Sequence, residues 1–440
     1  MRKDDRMFLF GKSRRQDKNA LRSGTVEREV SRMMAVPRNP GGMSSQEAVL
    51  TRLRDTDEIT ILSGEELPVR LSYRGYEYEL HIGDIELSVD PDDSLLGSLG
   101  ERERAQVLSA KKALVTEMLF ADNNMDSYHL QVKMMDMLMP DMAALMDVNA
   151  YRIHSGRWVS MTARSRVAPS PEYMFVVHCV SDDDDAAKSR SVWIHTHGLT
   201  RCGTIELEII GATEENYTLF ATALNQMAHY LVGENRFIDE LEPLRIGVRG
   251  DGKDILVTWQ RSEWSFRDFP KSIIGGPEDR DEEHSASMGV VYVYDSEKNA
   301  ENGKITPIVK WEQQLGDNDI YFKTTDETRR MRALAQERLG YLRDIYEQCP
   351  QNETLVKIAL VPDAKHQMNA EWREYIWFQV DEMREDGFSA TLIQDAFYVE
   401  GMTKGVHKDD FSYEEIVDWS IETPDATYEP NNVFRYLPEE

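Results

Sequence analysis

The stretch WIHTHGLTRCGTIELEI, residues 193–209, places two histidines one residue apart and then two glutamates one residue apart, with Gly198 and Gly203 between the pairs. Side chains alternate along a strand, so each pair shares a face if both ends are extended. A reversal centred between Arg201 and Cys202 sets His197 opposite Glu206 and His195 opposite Glu208. Directly opposed residues stand with Cβ atoms about 4.5–5.5 Å apart. The other face then carries Ile194 with Ile209 and Thr196 with Leu207, which is apolar enough to look into a core. The segment therefore predicts a hairpin.

Two readings of its polar face follow. Neutral imidazole nitrogens and carboxylate oxygens suit zinc or another divalent ion, so His195, His197, Glu206 and Glu208 form a candidate metal-ligand set. With one position left open, a metal-bound water is activated for hydrolysis, and Glu206 or Glu208 serves as general base. The structural reading pairs histidine with glutamate across a half-exposed sheet, each pair adding at most about 1 kcal/mol. Cys202 beside Arg201 has a cationic neighbour of the kind a nucleophilic thiolate needs, but no cysteine-hydrolase signature surrounds it, and a small residue in a turn is the favoured reading. The chain contains no GxSxG, HExxH or dinucleotide-binding fingerprint, and neither GVRGDG (247–252) nor GKS (11–13) completes a phosphate loop.

Working outward, YMFVVHCV (173–180) and DILVTWQ (254–260) read as strands, and EENYTLFATALNQMAHYLV (214–232) as an amphipathic helix stopped by Gly233. The loop SDDDDAAKS contains adjacent carboxylates Asp182 to Asp185, which lack the spacing of a calcium loop. Upstream, ITILS, LPVRLSY and YEYELHIGDIELSV predict hairpin strands from Ile59 onward. ERERAQVLSAKKALVTEMLFAD (101–122) predicts one helix, and YHLQVKMMDMLMPDMAALMD (128–147) a strand entering a short helix with Pro140 at its start. The methionines of that stretch read as adaptable core filler.

The chain has 440 residues and a formal charge of −28, with 41% hydrophobic residues, enough for two or three packed domains beneath a hydrated surface. Such charge repels phosphate backbones and anionic lipid, so no nucleic-acid or membrane partner is expected, whereas a basic protein is attracted. Three cysteines far apart make neither a metal knuckle nor a disulfide framework. With no signal-like or membrane-length apolar run, a cytoplasmic location is the expectation.

The C-terminal part opens on RRMRALAQERLGYL and continues through VKIAL, EYIWFQV, GFSATL, VEGMTKGVHKDDF and IVDW. With Trp377 to Val380, Gly387 and Ile416 to Trp419 in these places, it resembles the YegJ-like domain of unknown function. Residues 55–270 resemble the uncharacterised domain often found ahead of it in bacterial proteins, on the strength of HTHGL…G…ELE. The resemblance implies a bacterial chain and a fold, and no reaction; an immunity-like role follows from it by analogy alone.

The expected architecture is α+β: a mobile basic tail over 1–50, a mixed sheet with packed helices over 51–275, connecting strands over 276–324, and a small, strongly bent β domain with an opening helix over 325–440. The expected function is that of an acidic interaction protein capturing a basic protein partner, with a metal-dependent hydrolase built on the histidine–glutamate hairpin as the alternative.

Overall fold

In the computed structural model the described residues are 25–39, 45–181, 190–271, 273–280, 284, 288–316, 320–321, 325–366 and 372–438. Residues 1–24 of the expected tail and the acidic run Asp182 to Asp185 lie outside them. The chain is α+β and divides into two compact units, the first reaching Thr324 and the second starting at Thr325, with Ser165–Val167 belonging to the second. No helix among the described residues is long and apolar enough to cross a membrane.

The first unit contains two sheets. One has seven strands: β1 (Ser31–Pro37), β2 (Ile59–Ser63), β3 (Val69–Tyr73), β4 (Tyr76–Glu86), β5 (Lys112–Met118), β6 (Met142–Asp147) and β7 (Arg152–Ser155). They lie in the order β2-β3-β4-β5-β1-β6-β7, antiparallel throughout. Helix Glu101–Ser109 belongs to a core with Met34, Val36, Val115 and Ala144, while helix Asn124–Leu138 packs on β1 and β5. Strands covered on both faces read as continuous apolar runs without alternation.

That masking accounts for three corrections. Residues 31–37, assigned to the tail, are an inner strand, since MMAV is buried on both sides. The single helix expected over 101–122 ends at Ser109, and KALVTEM is the buried strand β5 despite its helix-forming residues. Over 128–147 the order is reversed: helix Asn124–Leu138 comes first, Pro140 follows its end, and Met142–Asp147 is β6.

The second sheet holds β8 (Val176–Ser181), β9 (Ser191–His197), β10 (Leu207–Thr213), β11 (Leu244–Val248), β12 (Asp254–Arg261), β13 (Gly289–Tyr294), β14 (Thr306–Pro307) and β15 (Ile320–Tyr321). Its path is β15-β11-β12-β13-β10-β9-β8, with β14 against β13, and among the described residues only the β10–β13 pairing is parallel. The segment 276–324, expected to connect domains, supplies strands to this sheet, and β13 is buried throughout. Helix Tyr217–Gly233 covers one face at β8, β9 and β10. Trp193, Ile210, Val290 and Tyr292 form a core with Phe266, Phe269, Ile273 and Ile274.

A buried ion pair joins the two sheets. Arg201, in the turn Thr200–Cys202 after β9, is 0% exposed and Asp147, at the end of β6, is 1% exposed. The guanidinium donates to both carboxylate oxygens at 2.7 and 2.8 Å, to the Ser31 hydroxyl at 3.2 Å and to the Met174 carbonyl at 2.7 Å. It also lies 5.6 Å from the Phe120 ring centre and 5.2 Å from that of Tyr128. Burial opposes its charge most strongly, but the charge and hydrogen bonds of Asp147, with Tyr128 and Cys202 adding to them, raise its pKa overall.

The second unit is a six-stranded antiparallel sheet: β16 (Thr354–Leu360), β17 (Glu374–Met383), β18 (Phe388–Leu392), β19 (His407–Phe411), β20 (Ile416–Glu422) and β21 (Thr427–Tyr428), in the order β19-β18-β17-β16-β20-β21. Register shifts in three of its pairings mark bulges, which bend strands. Helices Thr325–Glu337 and Leu339–Gln348 pack on β20, where the buried Trp419 indole donates to the Ala335 carbonyl at 3.1 Å. Phe378 joins that core, whereas Tyr398 is 42% exposed.

Removing one member of a buried ion pair costs about 3–5 kcal/mol, because the other charge is left unpaired in low dielectric. The substitution Arg201→Met is therefore expected to lower the urea stability of the first unit by that order. A loss below about 1 kcal/mol would show that the pair does not bear on folding.

Candidate metal centre

Three neighbouring strands set the site. Strand β8 pairs with β9 so that His178 stands opposite His195, and β9 pairs with β10 so that His195 stands opposite Glu208. The second pairing is the one the hairpin register predicts. Alternation puts His178, His195 and Glu208 in one row across the sheet, with Trp193 and His197 flanking His195 on the same face. The opposite face, with Ile194, turns toward the helix Tyr217–Gly233. Strand β9 ends at His197 and is followed by Gly198, with φ of +107°. A Cβ there would collide with the Met174 carbonyl, so only glycine allows the chain to turn so close to its neighbour.

His178, His195 and His197 each offer a ligand nitrogen, and these atoms lie within 4.8 Å of one another. A tetrahedral zinc ion with bonds of about 2.0–2.1 Å needs nitrogens about 3.4 Å apart, so closure asks for ring shifts below about 1 Å. The three ring centres are 4.9 to 5.8 Å apart. The His284 ring stands 4.8 Å from that of His195 and 5.2 Å from that of His197. These rings, with Tyr151, Trp193, Ile274 and Asp279, line a cavity of about 390 Å³.

His195 is 1% exposed, and its Nδ1 has no hydrogen-bond partner. Burial first, and then the neighbouring His197, His284 and His178, push its pKa down to about 2, so it is neutral at any physiological pH. Burial also lowers the pKa of His178, with His284 and Arg152 adding to it. Neutral imidazoles with lone pairs turned to a shared space are the form in which histidine binds metal.

The two glutamates do not join this cluster. Glu208 accepts from the Trp193 indole at 2.8 Å and from Arg280 Nη2 at 2.9 Å, and the guanidinium carbon of Arg280 lies 5.0 Å from the Trp193 ring centre. Burial raises the pKa of Glu208, against the pull of Arg280 and Trp193. Gly275, with φ of +80°, packs so closely on Trp193 that a Cβ would fall 2.6 Å from the indole. Glu208 thus fastens the segment carrying Gly275 and Arg280 over the wall of the cavity. Glu206 turns the other way: it accepts from the Thr196 hydroxyl at 2.7 Å and from the Gly198 and Thr200 amides at 2.9 and 3.0 Å. It caps the turn that Arg201 anchors. The expected carboxylate ligands and general base are therefore occupied by structural hydrogen bonds.

Sequence reasoning missed His178, His284 and Tyr151. His178 lay within a strand already recognised, but its alignment with His195 depends on a register across the acidic loop that no local signal sets. Cys202 is wholly buried, and burial lifts its thiol to about 12, which removes the nucleophile reading. In the folded protein a disulfide-exchange reagent is expected to label the exposed Cys179 and to spare Cys202 until denaturant is added. Rapid labelling of Cys202 under native conditions would contradict the burial described here.

Two family models match the chain. The N-terminal model of a protein of unknown function, DUF4026, covers residues 31–169, and the C-terminal model of the same family covers residues 177–292. All three clustered histidines fall within the second match, while Asp147 and Tyr151 fall within the first. No curated protein and no solved structure matches.

Proposed function

Since the chain belongs to the two-part DUF4026 family, whose description assigns no activity, we propose from its own residues that it is a metal-binding protein. His178, His195 and His197 hold one divalent transition ion, with zinc the best match to three imidazoles and no thiolate. The observation that carries this reading is the convergence of three ligand nitrogens within 4.8 Å inside a cavity. Three protein ligands leave a fourth position for water, which a bound ion would activate, so metal-dependent hydrolysis is the chemistry the centre supports. Glu206 and Glu208 act in it as supports of the turn and the wall. Elemental analysis of untagged protein is expected to find about one metal per chain, and His178→Ala or His195→Ala to bring it near zero without loss of the folded circular dichroism signal. A folded wild-type chain that takes up no zinc or cobalt, or a His178→Ala variant that keeps its metal, would defeat the reading.

A second reading rests on charge and exposure. The acidic surface favours a basic protein partner, and Phe397, 82% exposed, stands beside Tyr398 on a loop whose two amides are held by the Glu374 carboxylate at 2.6 and 2.9 Å. A fixed loop displaying aromatic surface is what a docking contact needs. The YegJ-like resemblance of this part, a bacterial and cytoplasmic setting, and an immunity-like role belong to this reading. Complex formation in lysate of the source cells is expected to weaken sharply between about 0.05 and 0.5 M salt as charge is screened, and salt-independent binding would remove the electrostatic argument.

A further inference from the structure

Strand β8 (Val176–Ser181) ends its sheet, and among the described residues it has β9 on one side and no strand on the other. In an antiparallel pair the peptide groups of alternate residues point away from the partner strand. Those of β8 meet no hydrogen-bond partner among the described residues. The strand also lacks the usual means of blunting an edge: VVHCVS has neither a charged side chain nor a proline, and Cys179, Val180 and Ser181 are exposed. Helix Tyr217–Gly233 packs on β8 from one face. The cavity lies on the other, where alternation sets both His178 and Val180. An open sheet edge thus borders the candidate metal centre.

We propose that β8 is the docking edge for an extended basic peptide, which adds to the sheet as a further strand and sends alternate side chains into the cavity. A row of outward N–H and C=O groups at the spacing of an extended chain is matched by another extended main chain. Residues directly opposed across a strand pair share a face, so the peptide residues opposite His178 and Val180 point their side chains into the cavity. The walls there, Val180, Trp193 and Ile274, suit apolar side chains. The residues between them point away from the cavity and carry the basic charge, which a protein of formal charge −28 attracts. A second copy of this chain brings the same negative charge and is repelled. Pairing with β8 stands without a metal; only the nearness of the cavity-facing side chains to an ion rests on the three-imidazole reading.

The test is amide hydrogen exchange of the full chain at low salt with the peptide acetyl-Val-Lys-Val-Lys-Val-Lys-amide. At about 1 mM peptide, the amides within 176–181 that point away from β9 are expected to slow about tenfold, as a Kd near 0.1 mM gives. Methylating the peptide nitrogens of one alternate set of residues is expected to abolish the slowing, and methylating the other set to leave it, because one row of amides faces β8. The peptide with glutamate in place of lysine is expected to have no effect. Unchanged exchange at 176–181 overturns the proposal, and so does an equal effect of the two methylated peptides or equal slowing by the glutamate peptide. Amides already slow in the free chain and faster on dilution would mean that a second copy covers the edge, which overturns it as well. Cobalt uptake, read from the visible spectrum of the same protein, separates the two readings: slowing at β8 without cobalt uptake keeps the docking edge and removes the metal centre, and cobalt uptake without slowing does the reverse.

Discussion

A guanidinium with no access to water must be neutralised, and Asp147 is the carboxylate that neutralises Arg201. The consequences reach both sheets of the first unit. Because Asp147 ends β6 and Arg201 lies in the turn after β9, their bidentate contact fixes where the end of one sheet meets the end of the other. The Ser31 hydroxyl and the Met174 carbonyl, which complete the guanidinium's donors, bring in the start of β1 and the residues just before β8. A slip of this turn by one residue would leave two buried charges unpaired and turn the histidine face of β9 over.

From that anchor the centre follows by ordinary sheet geometry. Register places His178 beside His195, alternation adds His197, and the turn geometry that Arg201 and Glu206 enforce brings the Tyr151 connection against them. His195 is cut off from water and stays uncharged, and the three rings pack at angles of 62 to 86°. Four imidazoles, His284 among them, with one ring nitrogen of His195 unpartnered in the interior, are a costly way to fill a core unless something binds there.

Much of this was legible in the sequence where one face of an element is solvated or polar. The β9–β10 hairpin, the helix Tyr217–Gly233 and the strand around Trp259 all show their period, and their side chains face where the pattern directs. The pattern failed where burial is two-sided. MMAV in β1 and ALVTEM in β5 carry no alternation, and most residues of the helix Asn124–Leu138 are apolar or buried, so neither period stands out. Composition also misled at the site: the glutamates lie where the hairpin puts them, but Trp193, Arg280 and backbone amides claim them, and partners contributed from distant segments are invisible to local spacing.

The claim on which the functional reading turns is that the metal ligands are imidazoles alone. X-ray absorption at the zinc edge of the loaded full-length protein measures it directly. The account predicts a four-coordinate ion with three imidazole nitrogens at about 2.0–2.1 Å and one further light atom, with no sulfur and with the multiple-scattering signature of histidine. A shell built from carboxylate oxygens, a thiolate at about 2.3 Å, or a fully hydrated ion would contradict it.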